Sequence, residues 1–463
     1  MTGIASCPID ILLWVLELQS PAELRALCLV NRYFRAIVEP LLYSKIQWTW
    51  KHLKNPPPIV PFLRTIISRP ELAAHVTNIQ LEGRNLSNFG SGSSCSSIPI
   101  SGAELDQAIE SIQRTGVSYS EFWIKQLRKG VTDALIALLL AQLPNLRQLN
   151  IRPVFVQRST LIGMVLSSAI CEPGAYRLPD FSRLRDVSAL SRVGWDRARE
   201  RENVQNTPDF LPFFYVPNIE RMAVSIRSSA TFKWPTTYLP DPSRLKSLQL
   251  SSIREAHLIH ILSVCKSLEK LSWGWYYDYG LDDEFNKPIV NLDQISSALS
   301  QIPPSLTELK ISADIGIGGN DCWYPGISIK GSLHKIADLH YVKKLQIPLA
   351  FLVGFVQDTT KLLQDRMPRN VEFLTLTYDL SIQEDPLGRP HMPEWDWEDW
   401  AVLGLLQSWL GVWKSCTPCL RGINLIVDSP EEHIGVWDST MMCQLSDLST
   451  RSGIQLEVMR CED

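Results

Sequence analysis

One spacing of three apolar residues, at i, i+3 and i+5, returns along most of this chain and limits what it can fold into. Leu146, Leu149 and Ile151 form the clearest copy. The spacing recurs at Leu184/Val187/Ala189, Ile219/Met222/Val224, Leu245/Leu248/Leu250, Leu268/Leu271/Trp273, Leu306/Leu309/Ile311, Val342/Leu345/Ile347, Val371/Leu374/Leu376 and Leu420/Ile423/Leu425. Val76/Ile79/Leu81 is an earlier copy. The last two residues of each set alternate with their neighbours, as a half-buried strand requires. Several copies follow turn residues, such as Leu143-Pro144-Asn145 and Pro303-Pro304-Ser305. Between the copies lie helical patterns. Leu258, Ile261, Leu262 and Cys265 fall at i, i+3, i+4 and i+7, Ile295, Leu299 and Ile302 at i, i+4 and i+7, and longer helices are expected at 349–367 and 397–413. Strand then helix in series gives an α/β fold, either a solenoid or a parallel doubly wound sheet.

The pattern resembles a leucine-rich repeat. From Leu146 the first residues of successive copies are 38, 35, 26, 23, 38, 36, 29 and 49 residues apart, whereas a regular array holds near 20–29. The asparagine that usually follows the strand is also missing, with Ile253, Tyr276, Asp314, Ala350 and Asp379 among the residues in its place. The expectation is an irregular leucine-rich-repeat-like horseshoe over residues 71–463, helices on the convex side and a closing strand around 454–458. Neighbouring coils would supply one another's core. The resemblance implies that residues between the buried strand positions face a concave partner-binding surface. Gln148, Asn150, Arg152, Gln249, Lys270, Lys310, Gln346 and Thr375 are the candidate target contacts. Their polar types fit a solvated sheet face equally well.

Two aromatic segments interrupt the pattern. Trp273, Trp275, Tyr276, Tyr277 and Tyr279 precede Asp282-Asp283-Glu284. Exposed, this cluster would suit a basic partner; folded in, its rings would cover the end of the stack. Glu394-Trp395-Asp396-Trp397-Glu398-Asp399-Trp400 places carboxylates where a helix N-terminus favours them, with its tryptophans expected in the core. The Gly/Ser run at 90–97 reads as a flexible loop.

The first fifty residues read differently. Pro8 and Asp10 suit a helix start, and Ile9, Leu12, Val15 and Leu16 share a stripe. Ser20, Pro21 and Glu23 form a capping box with proline at the first helical position, ahead of Leu24, Leu27, Val30 and Phe34. Glu39-Pro40 is expected to end this stretch. On periodicity alone these are short helices that could pack on the rest of the chain. In order and spacing, however, Pro8-Ile9-Asp10-Ile11-Leu12, Val15-Leu16, Ser20-Pro21-Ala22-Glu23-Leu24 and Leu29-Val30-Asn31-Arg32-Tyr33-Phe34-Arg35 resemble the F-box, and Glu39-Pro40-Leu41-Leu42-Tyr43 resembles the segment that comes after it in fungal members. Cys7 stands where the family usually has leucine, and Asn31 where it often has cysteine.

That resemblance implies a small all-helical F-box over 1–46 and a linker over 47–70. It also implies a Skp-type adaptor as partner, and through it a cullin scaffold. Pro8, Ile9, Leu12, Leu16, Leu24, Leu27 and Val30 are the adaptor-binding candidates. The expected function is substrate recognition in an SCF-type ubiquitin ligase. The alternative is a repeat-based interaction scaffold whose F-box is vestigial or serves a non-ligase complex.

Composition bounds the rest. With 45 Lys+Arg against 49 Asp+Glu, a net charge of −4 argues against a dedicated nucleic-acid or anionic-membrane surface. No run approaches the roughly 18 apolar residues of a membrane span. The ten cysteines are too sparse over 463 residues for a disulfide scaffold, so reduced thiols and a cytosolic or nuclear setting are expected. No phosphate-binding loop, dinucleotide fingerprint, zinc-protease pair or nucleophile elbow is present, so no enzyme activity and no cofactor are expected. Cys416-x-x-Cys419 lacks a second pair, and His433 and Cys443 do not complete a known zinc spacing.

Overall fold

The computed structural model describes residues 7–51, 55–83, 97–152, 155, 159–190, 210–226, 231–278, 286–316, 326–358, 360–381, 395–427 and 437–460. The 90–96 run, Tyr279, Asp282 to Glu284, Glu394 and His433 lie outside these residues. Two compact units divide the chain: Met1–Ser191 with Asp209–Ile219 and Pro235–Thr237, and Arg192–Pro208 with Glu220–Trp234 and Tyr238–Asp463. The repeat region expected over 71–463 is thus shared between them.

In the first unit three short helices, α1 (Ile9–Glu17), α2 (Pro21–Cys28) and α3 (Arg32–Ser44), precede the strands. Ser20 and Glu23 form the expected capping box at the start of α2. Asn31, the departure from the usual cysteine, caps α3 by accepting a hydrogen bond from the Phe34 N–H at 2.8 Å. Pro40 does not end the helix, which runs on to Ser44. Val38 is fully buried, and Leu41 and Leu42 pack on the same cluster. That burial offsets a proline whose interior cost is about 3 kcal/mol.

The chain passes from α3 straight into β1 (Lys45–Trp50), which pairs in parallel with β2 (Asn78–Gly83) over its whole length. β3 (Gln148–Ile151) and β4 (Asp186–Ala189) extend the row. The span 47–70 is therefore not the expected linker. It holds most of β1 and the helix Ile59–Ser68, whose Ile59, Val60, Leu63 and Ile66 are buried. The cause is local: Ile46 and Trp50 both need cover, and strand periodicity puts them on one face. The helix Thr132–Ala141 is buried along its entire length. Its Asp133 accepts the Leu161 and Ile162 N–H groups at 2.7 and 3.1 Å, closing the start of the helix Thr160–Leu166.

In the second unit the strands are β5 (Arg221–Ser225), β6 (Ser247–Ser251), β7 (Lys270–Asp278), β8 (Ile289–Asn291), β9 (Glu308–Gly316), β10 (Ser328–Lys330), β11 (Lys344–Pro348), β12 (Phe373–Thr377), β13 (Gly422–Val427) and β14 (Gln455–Arg460). All but β8 and β10, which pair with each other, form one parallel row in chain order. A doubly wound sheet reverses its strand order at a switch point; neither row does. Each is a stack of strand-and-helix coils, and every residue of the apolar triplets is buried. The helices Glu255–Leu262 and Leu292–Leu299 carry the expected buried stripes. The helix expected over 349–367 stops after Leu349–Val353, because Gly354 takes a φ of +85° that ends the turn.

The aromatic segment after Leu271 extends the sheet. β7 and β9 pair over nine residues, and Trp273, Trp275 and Tyr277 point inward. Behind them sits a buried ion pair. The Arg254 guanidinium donates to both carboxylate oxygens of Glu255 at 2.9 and 3.2 Å, and to the carbonyls of Lys287 and Ile289 at 3.1 and 2.8 Å. Glu255 also accepts the Trp275 indole N–H at 3.1 Å and the Asn291 N–H at 3.3 Å. Arg254 lies 4.7 Å from the centre of the Trp275 ring. Of the later tryptophans, Trp397 is buried as expected, whereas Trp400 is 58% exposed.

Candidate interaction surfaces

The three N-terminal helices have a core of their own. Leu12, Leu16, Leu24 and Val38 are buried together, with Leu27, Cys28, Phe34, Ile37, Leu41 and Leu42 packed around them. This changes the part played by several expected adaptor contacts. Leu12, Leu16 and Leu24 face inward and hold the helices to one another, and Leu27 is half-buried beside them. Pro8, Ile9 and Val30 remain exposed.

The exposed apolar surface lies largely elsewhere on the same helices. Ile11, Trp14, Val15 and Leu18 stand 48%, 70%, 51% and 85% exposed. At 100° per residue they form one stripe on the side of α1 opposite Leu12 and Leu16. Leu29, Val30 and Tyr33 add exposed apolar surface where α2 meets α3. Ile11, Trp14, Leu18, Leu29 and Tyr33 were not among the expected contacts. The signal for them is that apolar residues occupy all of α1 but the side of Asp10 and Glu17: a helix whose own core takes one face has another left for something else. Eight of the eighteen exposed large hydrophobic residues among the described residues fall between Ile9 and Tyr33, so this is a patch rather than ordinary scatter.

These helices are fixed to the helical segment before β2. Glu39 accepts hydrogen bonds from Arg69 at 3.0 and 3.2 Å, and the Tyr43 ring stacks on Phe62 at 6.1 Å. Hydrogen bonding to Arg69 is the main reason the Glu39 carboxyl titrates below its ordinary value.

The second candidate surface is the outward side of the strands. In the first unit Gln148 receives a hydrogen bond from Asn78 at 2.5 Å and donates one to Asp186 at 3.1 Å, a polar ladder across β2, β3 and β4. Asn150 lies one outward position further on, in register with Gln80 and Ser188, and Arg152 is exposed just past the strand. In the second unit parallel pairing lines up two outward rows. One reads Arg221, Ser247, Lys270, Glu308, Lys344, Phe373, Gly422 and Gln455; the other reads Ala223, Gln249, Ser272, Lys310, Gln346, Thr375, Asn424 and Glu457. The structure therefore brings Lys270, Lys310, Gln346, Thr375 and Gln249 onto one face, and gathers Gln148, Asn150 and Arg152 on the first unit.

Charge on the second unit's outward side is partly cancelled. Lys270 pairs with Glu308 at 3.0 Å and Lys246 with Glu269 at 2.9 Å, while Glu372 lies 3.2 Å from Lys343 and 3.5 Å from Arg421. Each such exposed pair contributes little alone. Lys310 and Lys344 have no carboxylate within ion-pair distance among the described residues. Phe373 stands 39% exposed beside Lys344. A Cβ at Gly422 would sit 3.2 Å from the Phe373 ring, so the ring lies directly over that glycine.

Cys416 is half-buried with its thiol on the Val412 carbonyl at 3.3 Å, and Cys419 is exposed. Among the described residues no three His, Cys, Asp or Glu side chains are placed to hold a metal ion. No helix among them is long and apolar enough to cross a membrane.

Comparison with known proteins fits this geometry. No curated protein matches the chain. A family profile described as a leucine-rich repeat domain matches residues 54–193, from just before the helix Ile59–Ser68 to just past β4. The chain thus contains a leucine-rich repeat domain, which points to a role in protein interaction.

Proposed function

We propose that the chain is the substrate-recognition subunit of an SCF-type ubiquitin ligase. In this reading the N-terminal helices act as an F-box that docks on a Skp-type adaptor, and the repeat strands hold a target protein. The chain itself catalyses nothing. Its contribution is proximity: an adaptor and cullin assembly would bring the held target to a charged conjugating enzyme.

One observation carries the reading. A segment whose sequence resembles the F-box folds on its own small core and still exposes a stripe of Ile11, Trp14, Val15 and Leu18. Such a stripe becomes stable by burial against a partner, and interfaces of this kind remove upwards of about 1,000 Å² from water. Trp14 is the natural central anchor, since tryptophan dominates binding hot spots. The direct passage from α3 into β1 also suits the role, because it joins the helices to the first strand-and-helix coil without a linker.

Co-expression with a Skp-type adaptor tests the proposal. The parent chain is expected to co-purify with the adaptor. Trp14→Asp combined with Leu18→Asp should abolish co-purification while the melting temperature stays unchanged, because both side chains are exposed in the free chain. If the parent captures no adaptor, the ligase reading fails and a repeat scaffold with a vestigial F-box remains.

A further inference from the structure

The outward rows of the second unit have a polarity that runs across the strands. On β9 and β11 lie Lys310 and Lys344, two ammonium groups without a carboxylate partner among the described residues, beside the Lys270–Glu308 pair that cancels itself. On β12 the charge gives way to Phe373, an exposed ring over a glycine. Beyond it the register positions on β13 are Gly422 and Asn424, and on β14 Gln455 and Glu457, the latter two hydrogen-bonded to each other at 2.6 Å. A cationic zone, an aromatic one and a zone whose one charged register position is the Glu457 carboxylate thus succeed one another in chain order. Neighbouring strands are about 4.8 Å apart, so Lys310, Lys344 and Phe373 occupy three successive steps.

From this we infer that the face takes an extended segment of a partner protein with one apolar side chain on Phe373 and carboxylates on one side of it only, over Lys344 and Lys310. The inference names the class of target for the face that the proposed function assigns to targets, and it rests on that reading. The chemistry is specific in three ways. Two unpaired ammonium groups beside an apolar contact favour acidic residues near the anchor and disfavour basic ones, so charge sets selectivity as well as attraction. An extended chain advances about 3.3 Å per residue, so a side chain over Lys344 lies one or two residues from the anchor and one over Lys310 about three. Gln346 and Thr375, in register with Lys310, offer an amide and a hydroxyl to the segment's backbone between these points.

Selection of a randomised peptide library on the full chain reads this directly. The expected consensus is an aliphatic or aromatic residue with Asp or Glu enriched one to three positions away on one side. A synthetic peptide of that consensus should bind less tightly as salt is raised. It should lose at least about tenfold in affinity with Phe373→Ala, and again with Lys310→Glu plus Lys344→Glu. These residues are exposed, so unchanged melting temperatures will show that the variants remain folded. No enrichment, a consensus without acidic residues, selection of phosphorylated or anionic-lipid ligands instead, or a peptide indifferent to both variants would each overturn the inference. Adaptor co-purification should be untouched by Phe373→Ala and by the charge reversal. Failure here therefore leaves the ligase reading standing, and a parent chain that captures no adaptor but selects the acidic consensus would leave this peptide specificity standing without the ligase reading.

Discussion

Glu39 and Arg69 are thirty residues apart in the chain and joined by two hydrogen bonds of 3.0 and 3.2 Å, which tie the last of the N-terminal helices to the helical segment before β2. Arg69 also holds Glu71 at 2.9 Å, and Arg35 stands 3.6 Å from Glu39. The junction between the apolar patch and the strands is therefore clamped at the surface as well as continuous in backbone.

This clamp gives a pH signature. The Glu39 carboxyl is held below its ordinary value of 4.5, chiefly by Arg69. A depressed carboxylate stabilises the fold above its unfolded value and stops doing so as pH falls through the folded one. Arg69→Ala should therefore lower the melting temperature at pH 7, and the difference from the parent should shrink as pH falls below 4.5 and through the depressed folded value. A difference that persists undiminished in acid would show that Arg69 acts by packing rather than by charge.

Inward and outward residues of α1 should separate cleanly. Leu12→Ala removes a side chain that is 3% exposed and should cost about 2–5 kcal/mol, read as loss of the helices' hydrogen-exchange protection. Trp14→Ala, from a residue 70% exposed, should change stability by no more than about 0.5 kcal/mol. Equal losses for the two would mean that the stripe is covered within the chain.

The buried Arg254–Glu255 pair predicts an asymmetric response. Glu255→Ala strands the guanidinium, 8% exposed in its side chain, and should cost about 3–5 kcal/mol in urea unfolding. Replacing both with residues of similar volume, Arg254→Met with Glu255→Gln, should cost less than the single change. The double change also loses the Arg254 contacts to the Lys287 and Ile289 carbonyls, so the start of β8 is where residual loss should appear by hydrogen exchange.

Asp399 at the start of the helix Asp399–Leu410 works in the opposite sense to Glu39. Burial pushes its carboxyl up to about 6; the nearby Tyr378 hydroxyl pulls it down, and the charges of Glu398 and Asp438 push it further up. A raised carboxyl adds stability below its unfolded value near 3.8, and that stability is lost as pH rises through about 6. Asp399→Asn should therefore match the parent at pH 4 and exceed it at pH 8, by an amount on the order of a few kcal/mol. Parallel stability curves across that range would refute the assignment.

Much of the molecule was legible from residue order alone, because its rules are local. An i, i+3, i+5 triplet beside a turn specifies an inward strand wherever it stands, and each of those triplets is buried. Ser20 with Glu23 writes a helix cap without help from distant residues. The outward partners, Lys270, Lys310, Gln346 and Thr375, follow from the alternation of a strand. Order alone could not decide which neighbour covers an apolar surface. α1 is apolar on more than one face, and only packing against Val38 and Leu24 selects Leu12 and Leu16 for the core and leaves Trp14 outside. Ile46 and Trp50 look like the end of a helical module until β2 pairs beside them and makes them the first coil. Periodicity records how apolar residues are spaced; burial depends on surfaces brought together from far along the chain, and that is settled only when the coils stack.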